Sequence, residues 1–217
     1  MEDFMREVQT FMRSDLGQFV AFVLAAGFFL IVVGLLFKRT NMSVRAMTYA
    51  GLCLSIAFIL SNFRIIQMGY GGSSTPMSMF FVTLVGFFFG PAIGIVSGVA
   101  YGFLQLVQRA SIIHPMQLLL DYPMAFGMLG LSGFFWKIKG GLYIGFVVAV
   151  IGRWLIHTIA GWLYWIGFAT PGSLWASIVY NSTYIIPEMV LTLVIIAIPP
   201  VRNALNHVKR RIAEDGL

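Results

Sequence analysis

From Phe19 to Phe37 the chain runs nineteen residues without a charge, and comparable apolar runs recur to its far end. A run of that length matches the ~20 residues a helix needs to cross a hydrocarbon core of ~30 Å. In hydrocarbon every backbone N–H and C=O must find its partner inside the protein, which leaves helices or closed barrels. Barrel strands alternate over short segments, whereas these runs are long and continuous. The expected fold is therefore an all-α, polytopic membrane helical bundle. Only 10% of the 217 residues are charged and 59% are hydrophobic, against about 25% charged in soluble domains. The formal charge of +6 sits at helix ends, where it sets topology, so it is not read as a nucleic-acid signal. A single cysteine, Cys53, lies within an apolar run, which excludes disulfides and thiolate metal sites. The polar, acidic start and the lack of a small-residue cleavage site give no sign of a cleavable signal peptide.

The organisation predicted is a polar segment over 1–18, a first span over 19–37, a six-helix domain over 44–200 and a basic tail over 201–217. Within the domain the spans are Ala46–Asn62, Met77–Phe89, Ala92–Val107, Pro115–Trp136, Leu142–Trp165 and Leu174–Pro199. Glycines at 94, 98 and 102 form an every-fourth-residue stripe that lets a neighbouring helix approach closely. Seven spans place the basic clusters at 38–45, 137–139 and 202–211 on one side, which is cytoplasmic by the positive-inside rule. The N-terminus and the loops 63–76, 108–114 and 166–173 then face outward.

Within the run LLLDYPMAFGMLGL stands one carboxylate, Asp121. A charge at membrane depth is costly and marks a function or a partner. At ~1.5 Å rise per residue, Asp121 lies roughly 9 Å below the outer end of its span, and His157 and Asn181 lie at a similar level in the next two. Arg153, His157, Gly161 and Trp165 follow at intervals of four and share one helix face. Arg153 and Glu188 both lie about 20 Å deep by the same rise, and equal depth predicts a buried ion pair between them. The polar groups outline an outward-open pocket with Asp121 and Tyr122 in its wall. A carboxylate at mid-depth suits an amine or cationic ring, with aromatic rings near the mouth to stack on it. Structural readings stand beside these: Asp121 locking helices through Arg153, Trp165 in an interfacial belt, and Asn181 bridging helices.

The run LLLDYPMAFGMLGLSGFF, the segment RWLIHTIAGWLYW over 153–165 and SIVYNS over 177–182 together resemble the thiamine-specific substrate-binding (S) component of energy-coupling-factor (ECF) transporters. The resemblance covers about residues 44–200, and His157-x-x-Ala160-Gly161-x-x-x-Trp165 is its most distinctive motif. It implies a six-helix membrane core that binds a vitamin from outside and toppling delivery driven by a transmembrane coupling protein and two ATPases. It also implies a prokaryotic cell membrane, no cofactor and no catalysis by the chain itself. Residue by residue, the family's pocket glutamate falls on Asp121, its tyrosine on Tyr122, its lysine on Arg153, and its histidine, tryptophan and asparagine on His157, Trp165 and Asn181. Under this match Arg153 reaches the ligand or Asp121 instead of Glu188. Gly51-x-x-x-Ser55 falls on the family's small-residue motif that docks the coupling protein, with Ala46-x-x-x-Ala50 one turn earlier.

Departures are also visible. The outer loop GYGGSSTPMSM lacks the family's ligand-contacting tryptophan and glutamate, leaving Tyr70 as its aromatic. A second family tyrosine falls near Ala176, with Trp175 as its substitute. The first span, 19–37, has no counterpart in the six-helix pattern. The function implied is an S component binding thiamine or a related heteroaromatic cation. The alternatives are an S component for another vitamin or nucleobase-like compound, an intramembrane enzyme using Asp121 and His157 as acid and base, or a purely structural subunit. No G-x-x-x-x-G-K-[ST] motif occurs, so ATP hydrolysis would fall to partners.

Overall fold

The computed structural model describes residues 15–39, 42–165 and 173–214. Helix α1 spans Asp15–Arg39 and packs against α4 (Pro91–Gln108) and the start of α5 (Pro115–Phe135). Helix α2, Val44–Leu60, opens on Ser43, whose Oγ accepts from Ala46 N at 3.1 Å, an N-cap that satisfies an orphan donor of the first turn. Helix α3 is Ser78–Phe89, α6 is Gly141–Ala160 with a π turn continuing to Trp165, α7 is Ser173–Ala197 and α8 is Pro199–Glu214. Residues 1–14 of the polar segment expected over 1–18 lie outside the described residues, and Asp15 to Gln18 form the first turn of α1.

The seven expected spans divide into two groups. Pro91–Gln108, Pro115–Phe135, Gly141–Tyr164 and Leu174–Ala197 are long and apolar enough to cross a membrane, whereas Phe22–Leu36, Val44–Leu60 and Ser78–Phe89 are shorter apolar helices. Helix α3 is the informative case. Ten of its 12 residues, all but Phe81 and Phe89, are buried between α2, α4, α5 and α6, the expected fate of a helix without a charged face. At ~1.5 Å per residue it covers about 18 Å of depth. The chain above it completes that depth with a hairpin, β1 (Ile66–Gln67) paired antiparallel with β2 (Ser73–Ser74) over a 3-10 turn at Gly69–Gly71. The 63–76 loop is thus folded, and Met77, at φ 65°, redirects it into α3.

The glycine stripe of α4 faces α5. A Cβ on Gly102 would stand 2.6 Å from the carbonyl oxygen of Tyr122 and 3.0 Å from Cα of Pro123, so only glycine lets the two backbones meet there. Tyr101 Oη donates to the Ala57 carbonyl oxygen at 3.0 Å and Ser132 Oγ to that of Thr83 at 2.6 Å, tying α4 to α2 and α5 to α3. The basic tail folds as α8, an amphipathic helix. Ile212 is buried, Leu205 and Val208 pack on the core, and Arg202, Arg210 and Arg211 are exposed. Lys209 donates its ammonium to the Trp136 carbonyl oxygen and stands 3.7 Å over the Phe87 ring. Partial burial lowers its pKa.

Candidate ligand-binding cavity

Pro123 lacks an N–H and cannot continue an ordinary α ladder. The chain absorbs this defect as a π turn over Leu120–Met124, where Ala125 N–H reaches the Leu120 carbonyl oxygen. Such turns widen a helix and re-aim its side chains. The residues re-aimed here are Asp121 and Tyr122. Asp121 points at α6, where its Oδ1 lies 2.8 Å from His157 Nδ1. Its Oδ2 accepts from Gln117 Nε2 at 2.7 Å.

On the other side of the ring Arg153 Nε donates to His157 Nε2 at 3.2 Å. A guanidinium has no acceptor and stays charged, so Nε2 holds the lone pair and the proton sits on Nδ1, which donates to Asp121. A neutral imidazole in a fixed tautomer thus links a carboxylate on α5 to a guanidinium one turn along α6. The Arg153 guanidinium carbon lies 4.2 Å from the centre of the Phe126 ring, a cation–π contact that holds its plane.

These groups line a cavity of about 260 Å³ at the hairpin end of the bundle. Asp121, Tyr122 and Phe126 come from α5, Arg153, His157 and Gly161 from α6, and Tyr180, Asn181 and Tyr184 from α7. Gly71, Gly72 and Ser73 of the hairpin and Arg109 to Ser111 of the following loop form its mouth. Asn181 Oδ1 accepts from Tyr184 Oη at 2.6 Å, while its Nδ2 donates to the Ser177 carbonyl oxygen at 2.9 Å. Tyr122 Oη accepts from Ser111 N at 2.8 Å and donates to the Arg109 carbonyl oxygen at 3.1 Å, so its hydroxyl holds the 108–114 loop while its ring lines the wall. Tyr180 Oη accepts from Gly72 N at 3.0 Å and donates to the Gly69 carbonyl oxygen, pinning the hairpin over the opening.

The structure therefore brings Asp121, Tyr122, Arg153, His157 and Asn181 to one cavity. It separates others. Trp175 is 68% exposed and takes no part in the lining, because its place on α7 turns it to the bundle exterior. Tyr70 lies on the 3-10 turn and Trp165 ends the π turn of α6; their side chains lie outside the described residues.

The equal depth of Arg153 and Glu188 does not make them a pair. Glu188, 3% exposed, accepts from Thr75 N and Thr75 Oγ1 at 2.9 Å each, from Met79 N at 3.1 Å and from Ser78 Oγ at 3.3 Å. The carboxylate caps the N-terminus of α3 from another helix, where free N–H groups and the helix dipole both favour an anion.

The candidate docking residues divide as well. Ala46 and Ala50 are buried within the chain, whereas Gly51 and Ser55 are exposed on the opposite side of α2. Ala46 and Ala50 therefore present no surface on which a partner could dock.

Sequence reasoning missed Gln117, Phe126, Tyr180 and Tyr184. Two of these carried a signal: Gln117 is four residues before Asp121 and Tyr184 three after Asn181, the spacings that share a helix face. Among the described residues no group of three or more His, Cys, Asp or Glu side chains could hold a metal ion.

Fold and cavity together define a multi-pass helical membrane protein with a cavity lined from three successive helices beneath a hairpin. The model of the thiamine transporter protein family (Thia_YuaJ) matches residues 47–207. The thiamine transporter ThiT of Bacillus subtilis (strain 168) is 32% identical over 171 residues, covering 71% of this chain and 86% of that protein. The ThiT of Lacticaseibacillus paracasei is 28% identical over 121 residues, 47% of this chain and 60% of that one. The chain belongs to the thiamine transporter protein family. This is a family of transporters and not of enzymes, which removes the intramembrane-enzyme reading. Helix α1 lies outside the matched residues.

Proposed function

We propose that the chain captures thiamine, or a heteroaromatic cation close to it, in this cavity and is the substrate-binding component of an ECF-type uptake system. The observation that carries the reading is the Asp121–His157–Arg153 chain inside a cavity of vitamin size, in a member of a thiamine transporter family. Asp121 supplies the negative charge for a cationic ring or an aminopyrimidine. His157 and Arg153 fix where that charge points. The rings of Tyr122, Phe126 and Tyr184 supply flat apolar wall, the usual composition of a small-ligand pocket.

Delivery would depend on partners, a transmembrane coupling protein and two ATPases, since the sequence carries no G-x-x-x-x-G-K-[ST] motif. Gly51 and Ser55 are the face of α2 offered to the coupling protein, because both are exposed and a Cβ on Gly51 would meet nothing within 4 Å. The basic ends at 38–45, 137–139 and 202–211 support an orientation with α8 in the cytoplasm and the hairpin outside.

Native mass spectrometry of the purified protein, followed by calorimetric titration with thiamine, tests the binding. Thiamine is expected to bind one to one. Absence of binding, with another heteroaromatic compound co-purifying, would move the substrate to that compound. Gly51→Trp tests the docking face: uptake by whole cells is expected to fall while thiamine affinity stays unchanged.

A further inference from the structure

Gln117 stands one turn before Asp121, lines the same cavity and is fully buried. A buried amide is costly unless its groups are paired, and each of these is. Its Oε1 accepts from Ile113 N at 3.2 Å. Its Nε2 donates to the Ser111 carbonyl oxygen at 3.1 Å and to Asp121 Oδ2 at 2.7 Å. The three bonds settle which end of the amide faces the carboxylate. Turned over, Gln117 would set its oxygen against Asp121 and the Ser111 carbonyl, and its N–H groups against the Ile113 N–H. Toward Asp121 it can only donate.

Both anchors of the amide are backbone groups of the 108–114 loop. Tyr122 Oη holds the same loop at Ser111 N and the Arg109 carbonyl oxygen. The loop is thus hung from α5 on either side of Asp121. The carboxylate in turn is gripped at both oxygens, Oδ1 by His157 Nδ1–H and Oδ2 by Gln117. One donor on each oxygen fixes the plane of the carboxylate as well as its position. Neither donor carries a formal charge, so neither cancels that of the carboxylate.

We propose that Gln117 is a positioning residue that sets the charge class of the ligand. By holding Asp121 in place with a neutral donor, it makes the cavity prefer a cationic ring to a neutral ring of the same shape. The inference rests on the reading of the cavity given above and names the determinant of its selectivity. A Gln117 that served only to tie down the loop would affect every ligand alike.

The test titrates the purified protein calorimetrically with thiamine and with a neutral analogue carrying a thiophene ring in place of the thiazolium. Gln117→Asn keeps the amide but is one methylene too short to span from the loop to Asp121. It should weaken thiamine about tenfold, the loss of a hydrogen bond to a charged group, and the neutral analogue less than about threefold. Gln117→Met, of similar length and without the amide, should separate the two ligands in the same way. The rise in melting temperature on adding each ligand reads both variants even where they are less stable than wild type. Asp121→Glu returns the missing methylene from the other partner. It should therefore improve thiamine binding more in the Gln117→Asn background than in wild type, the coupling expected of two groups in contact. Equal losses for the two ligands, or no such coupling, would reduce Gln117 to a loop tie while thiamine binding by wild type stood. If wild type binds neither compound, the reading of the cavity falls and this inference with it.

Discussion

Asp121 and His157, 36 residues apart in the chain, meet with Oδ1 2.8 Å from Nδ1. The contact joins the π turn of α5 to the last turns of α6, and both residues are only 12% exposed. The carboxylate is therefore aimed before any ligand arrives. Pre-aimed groups spare the ligand the cost of ordering them.

Asp121→Asn keeps the shape and removes the charge. Thiamine affinity should fall roughly ten- to a hundredfold, the worth of a hydrogen bond to a charged group at ~1.5–3 kcal/mol. A neutral analogue lacking the cationic ring should lose much less. Calorimetry with both ligands decides the matter, and equal losses would show that the charge plays no part in recognition.

Glu188 holds the junction of hairpin and α3 through four donors. Glu188→Gln puts an amide N–H against those donors and should destabilise the protein by about 1–3 kcal/mol, the cost of buried unsatisfied groups. Thermal unfolding in detergent measures it, and hydrogen exchange at the Thr75 and Met79 amides locates it. Arg153→Met should leave the protection of those amides unchanged. A matching loss there would restore the ion-pair reading.

Gly102→Ala inserts a methyl 2.6 Å from the Tyr122 carbonyl oxygen. The clash is with backbone and cannot be relieved by a rotamer, so about 1–3 kcal/mol of stability should be lost. Ligand affinity should fall with it, because Asp121 rides on the displaced turn. Gly51→Ala is the control. It meets nothing within 4 Å, and alanine in an exposed helix should be neutral or stabilise by roughly 0.5–1 kcal/mol. Equal melting points for the two variants would refute the close approach of α4 and α5.

Tyr180→Phe removes the hydroxyl that clasps Gly69 and Gly72 of the hairpin. Each bond is worth about 1 kcal/mol, so the hairpin should open more often. Stopped-flow binding should show faster ligand release with little change in the depth of the pocket. An unchanged release rate would mean that the ligand leaves by another route.

The helical membrane bundle was legible in the residues alone, because hydrocarbon forces each backbone to satisfy itself and leaves long apolar runs as its trace. The level of Asp121, His157 and Asn181 followed from the constant rise of a helix. Depth, however, is one coordinate of three. Which way a side chain turns around its helix depends on neighbours that counting cannot supply, and this is why Trp175 faces outward and Ala46 and Ala50 inward. It also explains Glu188. Its partners are backbone N–H groups at the start of a short helix below a hairpin, and these converge on it only once distant segments have packed.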